Sequence, residues 1–287
     1  MPSRPRRRFD DDVEPIHRRR SRSTRLTAER DDALDIPTHS TYRHPDTVRG
    51  PAPVPRWLPT SGDAVDEDLG VVKTGKEADV SLVHRSDGER TAFLAAKRYR
   101  NAQHRMFHRD AGYLEGRRTR FTRENRAMAN RTEFGRQLLA GQWAVAEFAI
   151  LSRLWSAGAA VPYPVQLLGT EVMMELIGDA DGTPAPRLAQ LRPDGPEARS
   201  LYRQLRAVLV QLAETGYTHG DLSAYNVLVH EGRLVLIDLP QAVDLVGNPQ
   251  GFAYLRRDCT NICTWFSARG IDADADELAN EIRRALV

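Results

Sequence analysis

The stretch from His219 to Asn226 (HGDLSAYN) contains the residue types that phosphoryl transfer requires. That reaction needs a carboxylate to orient the attacking hydroxyl and accept its proton, and oxygen ligands for the metal ions that neutralise the phosphates. Asp221 and Asn226 are five positions apart, the spacing of the catalytic loop H-R-D-x-x-x-x-N. This spacing predicts Asp221 as the base and Asn226 as a magnesium ligand through its amide oxygen. A capped turn is the alternative, because Asp, Ser and Asn are common turn residues.

Asp238 directly follows an apolar segment, Leu234 to Ile237, and is therefore predicted at the end of a strand. It comes twelve residues after Asn226, across a hairpin that folds the chain back toward that residue. A second hard oxygen ligand beside Asn226 suits Mg²⁺, and Mn²⁺ can use the same ligands. Asp238 is thus predicted as a catalytic residue and a metal ligand, and a strand-ending aspartate is the alternative. Leu239 and Pro240 stand where conventional kinases have Phe-Gly, which argues against a standard regulated activation segment.

Lys97 ends an apolar strand, where its stem can pack while its ammonium contacts phosphates. Glu147 lies in the amphipathic helix that follows, predicted over residues 138–157. The two match the lysine–glutamate ion pair that holds the nucleotide phosphates in protein kinases. An exposed helical glutamate is the alternative for Glu147, and Glu133 is the weaker candidate because it falls in a polar segment.

The segment from Lys73 to Val80 (KTGKEADV) is the candidate loop for holding phosphates, although it contains a single glycine. The patterns G-x-G-x-x-G and G-x-x-x-x-G-K-[ST] are both absent from the sequence. In this interpretation the backbone N–H groups of Thr74, Gly75 and Lys76 face phosphate oxygens, and the Lys76 side chain adds positive charge. A plain hairpin turn is the alternative.

The predicted elements divide the chain into a β-rich half and a helical half. Turn residues and periodicity predict strands over 69–84 (two, joined at 74–76), 91–98, 164–178 (two), 227–230 and 234–237. Helices are predicted over 138–157, 196–215, 251–268 and 273–286. This order predicts an α+β fold with two lobes, and ligands favour the cleft between lobes.

Two segments are predicted to lack regular structure. Residues 1–60 contain opposed blocks of arginine and aspartate and many prolines, and so offer too little apolar surface to offset the entropy of ordering. Residues 101–136 are predicted as a long mobile loop, and Lys97 to Arg136 contain twelve Lys or Arg against four Asp or Glu. The charge excess of this basic loop (98–136) fits either a polyanion such as RNA or a solvated surface.

The composition of the 287-residue chain, with 41% hydrophobic residues, suits a globular protein. No run approaches the ~20 apolar residues that span a bilayer, and no apolar stretch follows the N-terminal arginines as in a secretory signal. Cys259 and Cys263 are too few for a disulfide framework or a zinc site, and are predicted as partly buried thiols. The sequence therefore predicts a cytoplasmic protein with no membrane partner.

Taken together, these residues resemble the RIO family of atypical serine/threonine protein kinases, and most of all its first subfamily. The family pattern S-T-G-K-E-A-x-V is matched by residues 73–80, with Lys73 in place of the serine. The pattern H-x-D-L-S-x-Y-N is matched throughout residues 219–226, and I-D-x-x-Q by residues 237–241. Further matches lie at 143–147, 174–178, 184–186 and 252–258, so that the likeness covers roughly residues 65–270 in the correct order.

The resemblance implies a two-lobed, protein-kinase-like fold that lacks the usual activation loop and peptide-binding subdomains. The RIO-like domain would span 61–287, with an N-lobe at about 65–175 that is mostly β with one helix, and a mostly helical C-lobe at about 179–287. The resemblance also implies Mg-ATP as the co-substrate. Archaeal and eukaryotic members of the family act in maturation of the small ribosomal subunit.

The same resemblance implies a role for each candidate residue. Asp221 would be the base, and Asn226 and Asp238 would be the magnesium ligands. The adenine would bind backbone groups of the hinge from Glu175 to Ile177, with Met174 at the back of the pocket. The implied ATP-binding residues are Thr74, Gly75, Lys76, Val80, Lys97, Glu147, Met174, Glu175 and Ile177.

Three functions fit the sequence. The leading one is a serine/threonine protein kinase that transfers the γ-phosphoryl group of Mg-ATP to a protein or to itself. A small-molecule kinase of the aminoglycoside or choline type also begins its catalytic loop with His-Gly-Asp, but the run from Lys73 to Ala78 and the lack of an acidic substrate-binding C-terminal lobe favour the protein kinase. The third is an ATP-gated assembly factor that binds a ribosomal subunit or RNA through the basic loop (98–136).

Overall fold

The computed structural model describes residues 38–100 and 133–286. In this part of the chain, residues 38–175 form an N-lobe built on one antiparallel sheet with the spatial order β1-β3-β4-β5-β7-β6-β2. The strands are β1 Thr38–His39, β2 Val48–Arg49, β3 Val65–Thr74, β4 Ala78–Ser86, β5 Thr91–Tyr99, β6 Pro164–Leu168 and β7 Glu171–Glu175. The strands predicted within 69–84, 91–98 and 164–178 are therefore confirmed, with β3 beginning earlier than predicted.

One helix, α1 Glu133–Ser156, covers one face of this sheet. Its apolar residues recur at helical spacing, and Trp143, Phe148 and Leu151 are buried in the same cluster as Val172 and Met174 of β7. The helix begins five residues before the predicted 138. Residues 133–137 (EFGRQ) contain only one large apolar residue, so they show no apolar periodicity that could mark this boundary.

The segment 38–60 packs against the sheet and is not a tail, so the prediction of a disordered segment through residue 60 is wrong for this part. β1 pairs with β3 and β2 pairs with β6, which adds a strand to each edge of the sheet. Tyr42 and Leu58 are 6% and 0% exposed and belong to a cluster on the sheet face opposite α1. These single anchors separated by prolines leave no periodic pattern to find. Residues 1–37 lie outside the described residues.

The C-lobe follows, and its helices confirm those predicted over 196–215, 251–268 and 273–286. Asp194 caps the first of them by accepting a hydrogen bond from the Glu197 N–H, and Asp274 caps the last by accepting one from Glu277. The helices are α2 Gly195–Glu214, α3 Gly251–Ser267 and α4 Ala275–Arg284. Both cysteines are buried as free thiols, as predicted, and burial raises the pKa of Cys259 to about 12. Among the described residues, no helix combines the length and apolar character needed to cross a bilayer.

Short strands connect these helices and carry the loops of the site. The hairpin of β9 and β10 matches the two strands predicted there, while β8 and β11 form a second small ladder. These strands are β8 Tyr217–Thr218, β9 Val227–His230, β10 Arg233–Leu236 and β11 Val243–Asp244. Single 3₁₀ turns occur at Thr41–Arg43, Leu188–Gln190 and Ala224–Asn226.

The packing of segment 38–60 predicts a stability effect at Leu58. Leu58→Ala is expected to lower the free energy of unfolding by about 2–5 kcal/mol, because it removes a fully buried side chain from the cluster on the sheet face opposite α1. Val54→Ala in the same segment is the control, since Val54 is 41% exposed. Urea unfolding measures both variants, and equal stabilities would contradict the packing of this segment.

Candidate active site

The ammonium of Lys97 lies between two carboxylates at the junction of the lobes. Its Nζ is 2.8 Å from Oε1 of Glu147 and 2.6 Å from Oδ1 of Asp238. β5 carries Lys97 and α1 carries Glu147, whose side chains are 11% and 1% exposed. The structure thus brings the predicted lysine and glutamate together and adds Asp238 as a third member.

Glu147 is fixed by two further contacts that the sequence did not indicate. The Tyr99 hydroxyl donates to its Oε2 at 2.5 Å, and the backbone N–H of Leu239 donates to its Oε1 at 3.3 Å. A buried carboxylate needs such partners, because an unpaired one is strongly disfavoured by desolvation. The position of Tyr99, two residues beyond Lys97 and on the same face of β5, is the signal that could have identified it.

The charges in this cluster hold one another in the ionised state. Burial alone lowers the pKa of Lys97, but the charges of Asp238 and Glu147 more than offset this and leave that pKa above its ordinary value. For Asp238 burial raises the pKa, yet Lys97 outweighs it, and the net pKa lies well below its ordinary range. The Asp238 side chain remains 36% exposed, so one of its sides faces the cleft.

The candidate catalytic loop, residues 219–226, lies between β8 and β9. Ser223 begins its 3₁₀ turn and accepts a hydrogen bond from the Tyr225 N–H. The side-chain Nδ2 of Asn226 donates to the backbone oxygen of Asp221 at 2.8 Å, which leaves the amide oxygen as the side-chain atom available to a ligand. The Ile237 N–H donates to the Asn226 carbonyl at 3.0 Å and so places Asp238 next to Asn226.

Asp258 of α3 fixes the backbone of this loop through hydrogen bonds, a role that the sequence did not predict. Its carboxylate accepts the N–H groups of Gly220 at 2.7 Å and Leu222 at 2.9 Å, and the Thr218 hydroxyl at 3.0 Å. Asp258 is 1% exposed. A charged residue on the apolar face of α3, beside Cys259, is the signal that could have indicated a buried structural carboxylate.

The backbone of the loop is tightly constrained at Gly220. Its φ is 79°, and a Cβ there would lie 2.2 Å from the carbonyl oxygen of Gln241. His219 spans the same interface, with its Nε2 at 3.0 Å from the Ile237 carbonyl oxygen. Asp238 itself has a φ of 67°, an unusual value for a residue other than glycine. The loop and the 237–241 segment therefore fix each other's backbone.

The turn between β3 and β4 differs in one respect from the expectation. The Gly75 N–H donates to the Ala78 carbonyl oxygen at 2.9 Å, so it closes the turn instead of facing a phosphate. A Cβ at position 75 would lie 2.9 Å from that same oxygen, so the close approach of the Ala78 carbonyl accounts for a glycine here. The turn also reaches the C-lobe, because Nε2 of Gln241 donates to Oε1 of Glu77 at 3.3 Å.

The predicted hinge follows β7. Met174 is 9% exposed and pairs with Ala95 of β5. The Glu175 carboxylate accepts the Tyr163 N–H at 3.0 Å, and burial raises the pKa of this carboxyl. The Ile177 carbonyl accepts the Ala185 N–H at 2.8 Å. The N–H groups of Glu175 and Leu176 donate to the carbonyl oxygens of Tyr163 at 2.9 Å and Phe93 at 3.3 Å, so adenine binding by the hinge stays a prediction.

The candidate metal ligands fit Mg²⁺ better than a metal held by protein alone. Within residues 38–100 and 133–286, no three His, Cys, Asp or Glu side chains are grouped so that they could hold a metal. Asn226 and Asp238 are the two residues that could supply oxygen ligands here. Mg²⁺ is commonly bound in this way, with waters and substrate phosphates completing its coordination.

Comparison with known families agrees with this geometry. The sequence model of the RIO domain matches residues 82–278, which run from within β4 to within α4 and include Lys97, Glu147 and Asp238. The chain belongs to the RIO family. The matched span begins beyond the turn at 75–77, so the phosphate-loop assignment stays a prediction from residues 73–80.

Two relatives show how the chain compares with other RIO proteins. It is 39% identical over 215 residues to the RIO-type serine/threonine-protein kinase Rio1 of Haloferax volcanii, covering 75% of this chain and 68% of the relative. It is 31% identical to the serine/threonine-protein kinase RIO1 of Chaetomium thermophilum, covering 74% of this chain but 41% of that protein. Much of the fungal protein therefore has no counterpart in the aligned region.

A solved structure supports the fold. The Rio2 kinase–ADP/Mg²⁺–phosphoaspartate complex of Chaetomium thermophilum aligns with a TM-score of 0.52 at 23% identity, covering 76% of this chain and 66% of that one. The two-lobed, trimmed protein-kinase fold is thereby confirmed for this RIO chain.

The crowding of carboxylates in the cleft predicts a pH-dependent stability effect at Glu77. Burial, followed by the negative charge of Asp238, raises the pKa of Glu77 above its ordinary value of 4.5. The folded protein thus binds this proton more tightly than the unfolded chain, and the stability contribution of Glu77 falls as pH rises from 4.5 toward neutrality. Glu77→Gln is expected to be more stable than wild type at neutral pH, with the difference shrinking as pH falls to 4.5.

Urea unfolding across that pH range tests this prediction. Glu89→Gln is the matched control, because Glu89 is an exposed glutamate in the same lobe. A stability difference between Glu77→Gln and wild type that does not change with pH would contradict the prediction.

Proposed function

We propose that this RIO-family chain transfers the γ-phosphoryl group of Mg-ATP to a serine or threonine hydroxyl of a protein, or of itself. The observation that supports this most is the placement of Lys97 between Glu147 and Asp238, beside a loop that holds Asp221 and Asn226 together. A lysine–glutamate pair for the phosphates, a base and two oxygen ligands are the parts that phosphoryl transfer by kinases uses.

In this proposal Asp221 performs the proton transfer. Its carboxylate accepts the proton of the acceptor hydroxyl, and the hydroxyl oxygen forms a bond to the γ-phosphorus of ATP. The bond from that phosphorus to the β–γ bridging oxygen breaks, and its electron pair stays with ADP. Asp258 contributes indirectly, because its bonds to Gly220 and Leu222 fix the backbone on both sides of Asp221.

The residues around Lys97 bind the phosphates. Magnesium, when bound, would neutralise phosphate charge, and Asn226 and Asp238 are the ligands that would hold it. Lys97 would exchange its contact with Asp238 for phosphate oxygens, while Glu147 and Tyr99 keep it in place. Thr74, Lys76 and Val80 then cover the phosphates from the N-lobe side of the cleft.

The adenine is proposed to bind the hinge through the carbonyl oxygen of Glu175 and the N–H of Ile177, because the Glu175 N–H already donates to the Tyr163 carbonyl oxygen at 2.9 Å. The Ile177 carbonyl is less suited, because it already accepts the Ala185 N–H. The Glu175 side chain is committed to Tyr163, so it does not select the base. Met174 closes the back of this pocket, next to Ala95.

The acceptor in this proposal is a protein hydroxyl. The charge excess of the basic loop (98–136) fits either a ribosomal subunit or RNA as a partner or a solvated surface, and its residues 101–132 lie outside the described residues. A transfer assay with γ-labelled ATP against whole lysate, ribosomal subunits, an aminoglycoside and choline separates the candidates. Label on the small molecules, with none on protein, would overturn the protein-kinase proposal.

Removing the base tests the catalytic assignment. Asp221→Ala is expected to lower kcat for phosphoryl transfer by about 100-fold or more while leaving ATP affinity nearly unchanged, because it removes the proton acceptor but not the phosphate contacts. The labelled-ATP assay and calorimetric titration with Mg-ATP measure the two quantities. Asp46→Ala, at an 84% exposed aspartate, is the control. Undiminished transfer in Asp221→Ala refutes the role of Asp221.

Removing the metal ligand gives a different result. Asp238→Ala is expected to weaken magnesium-dependent nucleotide binding by about ten-fold or more, in addition to lowering turnover. Titrating ATP binding against Mg²⁺ concentration measures this effect, with Asp276→Ala at a 69% exposed aspartate as the control. An unchanged magnesium dependence would place the metal elsewhere.

A further inference from the structure

Side chains hold the backbone on either side of Asp221, where the chain forms neither helix nor strand. The N–H and carbonyl groups of Gly220, Asp221 and Leu222 each form a hydrogen bond to a side-chain atom. Asp258 accepts two of the N–H groups and Nδ1 of His219 accepts the third, while the carbonyl oxygens accept from Arg257, Asn226 and Asn261. These side chains stand in place of the ladder that fixes the backbone of a helix or a strand.

Arg257 binds the peptide unit that directly precedes Asp221. Its Nη2 donates to the carbonyl oxygen of Gly220, which belongs to the Gly220–Asp221 peptide. Asn261, four positions further along α3, donates from Nδ2 to the Leu222 carbonyl oxygen at 3.2 Å. That carbonyl belongs to the peptide after Leu222. Along the backbone, Arg257 therefore acts closer to Asp221 than Asn261 does.

The Arg257 side chain is itself held in place on α3. Its Cζ is 4.9 Å from the centroid of the Tyr254 ring, one turn earlier in the helix, and an aromatic face attracts a guanidinium. Residues four positions apart are neighbours on a helix surface, so Arg257 and Asn261 reach the loop from the same side of α3. A hydrogen bond from a cation is stronger than one from a neutral donor. The helix therefore presents a restrained, charged donor to the loop.

Gly220 also lies against the chain that follows Asp238. A Cβ at position 220 would lie 2.2 Å from the Gln241 carbonyl oxygen and 3.0 Å from Cγ2 of Val243. Gly220 is buried, so its carbonyl oxygen relies on Arg257 instead of water for a donor. Loss of that donor leaves a buried acceptor unpaired. Rotation of the Gly220–Asp221 peptide toward another donor would then move Asp221 with it.

We propose that Arg257 is a positioning residue for the base, supported by Asn261. Arg257 fixes the peptide from which Asp221 extends, and so sets where the Asp221 carboxylate meets the acceptor hydroxyl. The proposal rests on the proposed kinase function, since that function gives Asp221 its role. Neither Arg257 nor Asn261 contacts the nucleotide or the acceptor in this mechanism. Their effect is on turnover, because a misplacement of about 1 Å can slow a reaction by about 100-fold.

Substitutions at the two positions are expected to give graded effects. Arg257→Met, which removes the donor but keeps a long unbranched side chain, should lower kcat by about ten-fold, less than the cost of a full misplacement. The affinity for Mg-ATP should change by less than about two-fold, because the phosphate and metal contacts remain. Arg257→Lys should recover most of the loss, since an ammonium can also donate to a carbonyl. Asn261→Leu should lower kcat by only about two- to three-fold, because its bond is one that a neutral donor makes further from Asp221.

Arg256→Met is the matched control. Arg256 precedes Arg257 on the same helix, its side chain is 71% exposed, and its ion pair is with Asp276 at 3.2 Å. This substitution removes the same charge and is expected to leave kcat within about two-fold of wild type. All variants are made in the full-length chain. Labelled-ATP turnover gives kcat, calorimetric titration gives the affinity for Mg-ATP, and urea unfolding gives the stability.

A double variant separates positioning of Asp221 from a general effect on the fold. If Arg257 acts through Asp221, then Arg257→Met should cause no further loss in the residual transfer of Asp221→Ala. A loss of the same factor in both backgrounds would overturn the proposal, because Arg257 would then act on something other than the base. A loss in wild type that disappears in Asp221→Ala supports the proposal.

The remaining outcomes distinguish this proposal from the kinase function. If Asp221→Ala loses transfer but Arg257→Met matches Arg256→Met, positioning by Arg257 is wrong and the kinase proposal stands. If Asp221→Ala transfers phosphate at the wild-type rate, the assigned base is wrong and the positioning proposal fails with it. Should Arg257→Met not bind Mg-ATP, Arg257→Gln and Asn261→Leu decide by the same comparison. A kcat equal to that of Arg256→Met in both of these variants overturns the proposal.

Discussion

Three parts of the chain that are distant in sequence meet at the ammonium of Lys97. β5 supplies the lysine, α1 supplies Glu147, and the segment after β10 supplies Asp238. A buried charge is strongly destabilising without its partners, so each of the three elements is held in the register that lets them meet. Packing alone would tolerate small shifts of α1 on the sheet. The salt bridges and the hydrogen bond from the Tyr99 hydroxyl to Glu147 do not tolerate such shifts, because they require fixed distances.

The parts of the site that the sequence predicted are those with a local pattern. Lys97 ends an apolar strand, Glu147 lies on a periodic helix, and the spacing of Asp221 and Asn226 fits within a single loop. Local spacing survives folding, and the structure brings these residues together. The same reasoning identified the β3–β4 and β9–β10 hairpins, because turn residues bracket their apolar runs.

The parts that the sequence missed depend on distant contacts. In the sequence, Tyr99 is an ordinary strand residue and Asp258 is a charged residue on the apolar face of a helix. Only the fold brings Tyr99 to Glu147 and Asp258 to the candidate catalytic loop. Segment 38–60 has no periodicity, because it forms edge strands and single anchors on a sheet that later residues build. Such contacts leave no repeating signal in a single sequence, so propensity and periodicity cannot reveal them.

Asp238 contacts Lys97 and is also the proposed ligand of a magnesium ion, and the geometry of its backbone is compatible with both roles. The φ of 67° at Asp238 and the hydrogen bond from the Ile237 N–H to the Asn226 carbonyl fix the backbone from which the Asp238 side chain extends. That side chain is 36% exposed. The long stem of Lys97 is the adaptable member, since a lysine has several rotatable bonds and a compact charge. In the proposed function, nucleotide binding would move the Lys97 ammonium while the Asp238 carboxylate keeps its position. The contacts of Glu147 with Tyr99 and the Leu239 N–H would hold Glu147, and with it Lys97, during that exchange.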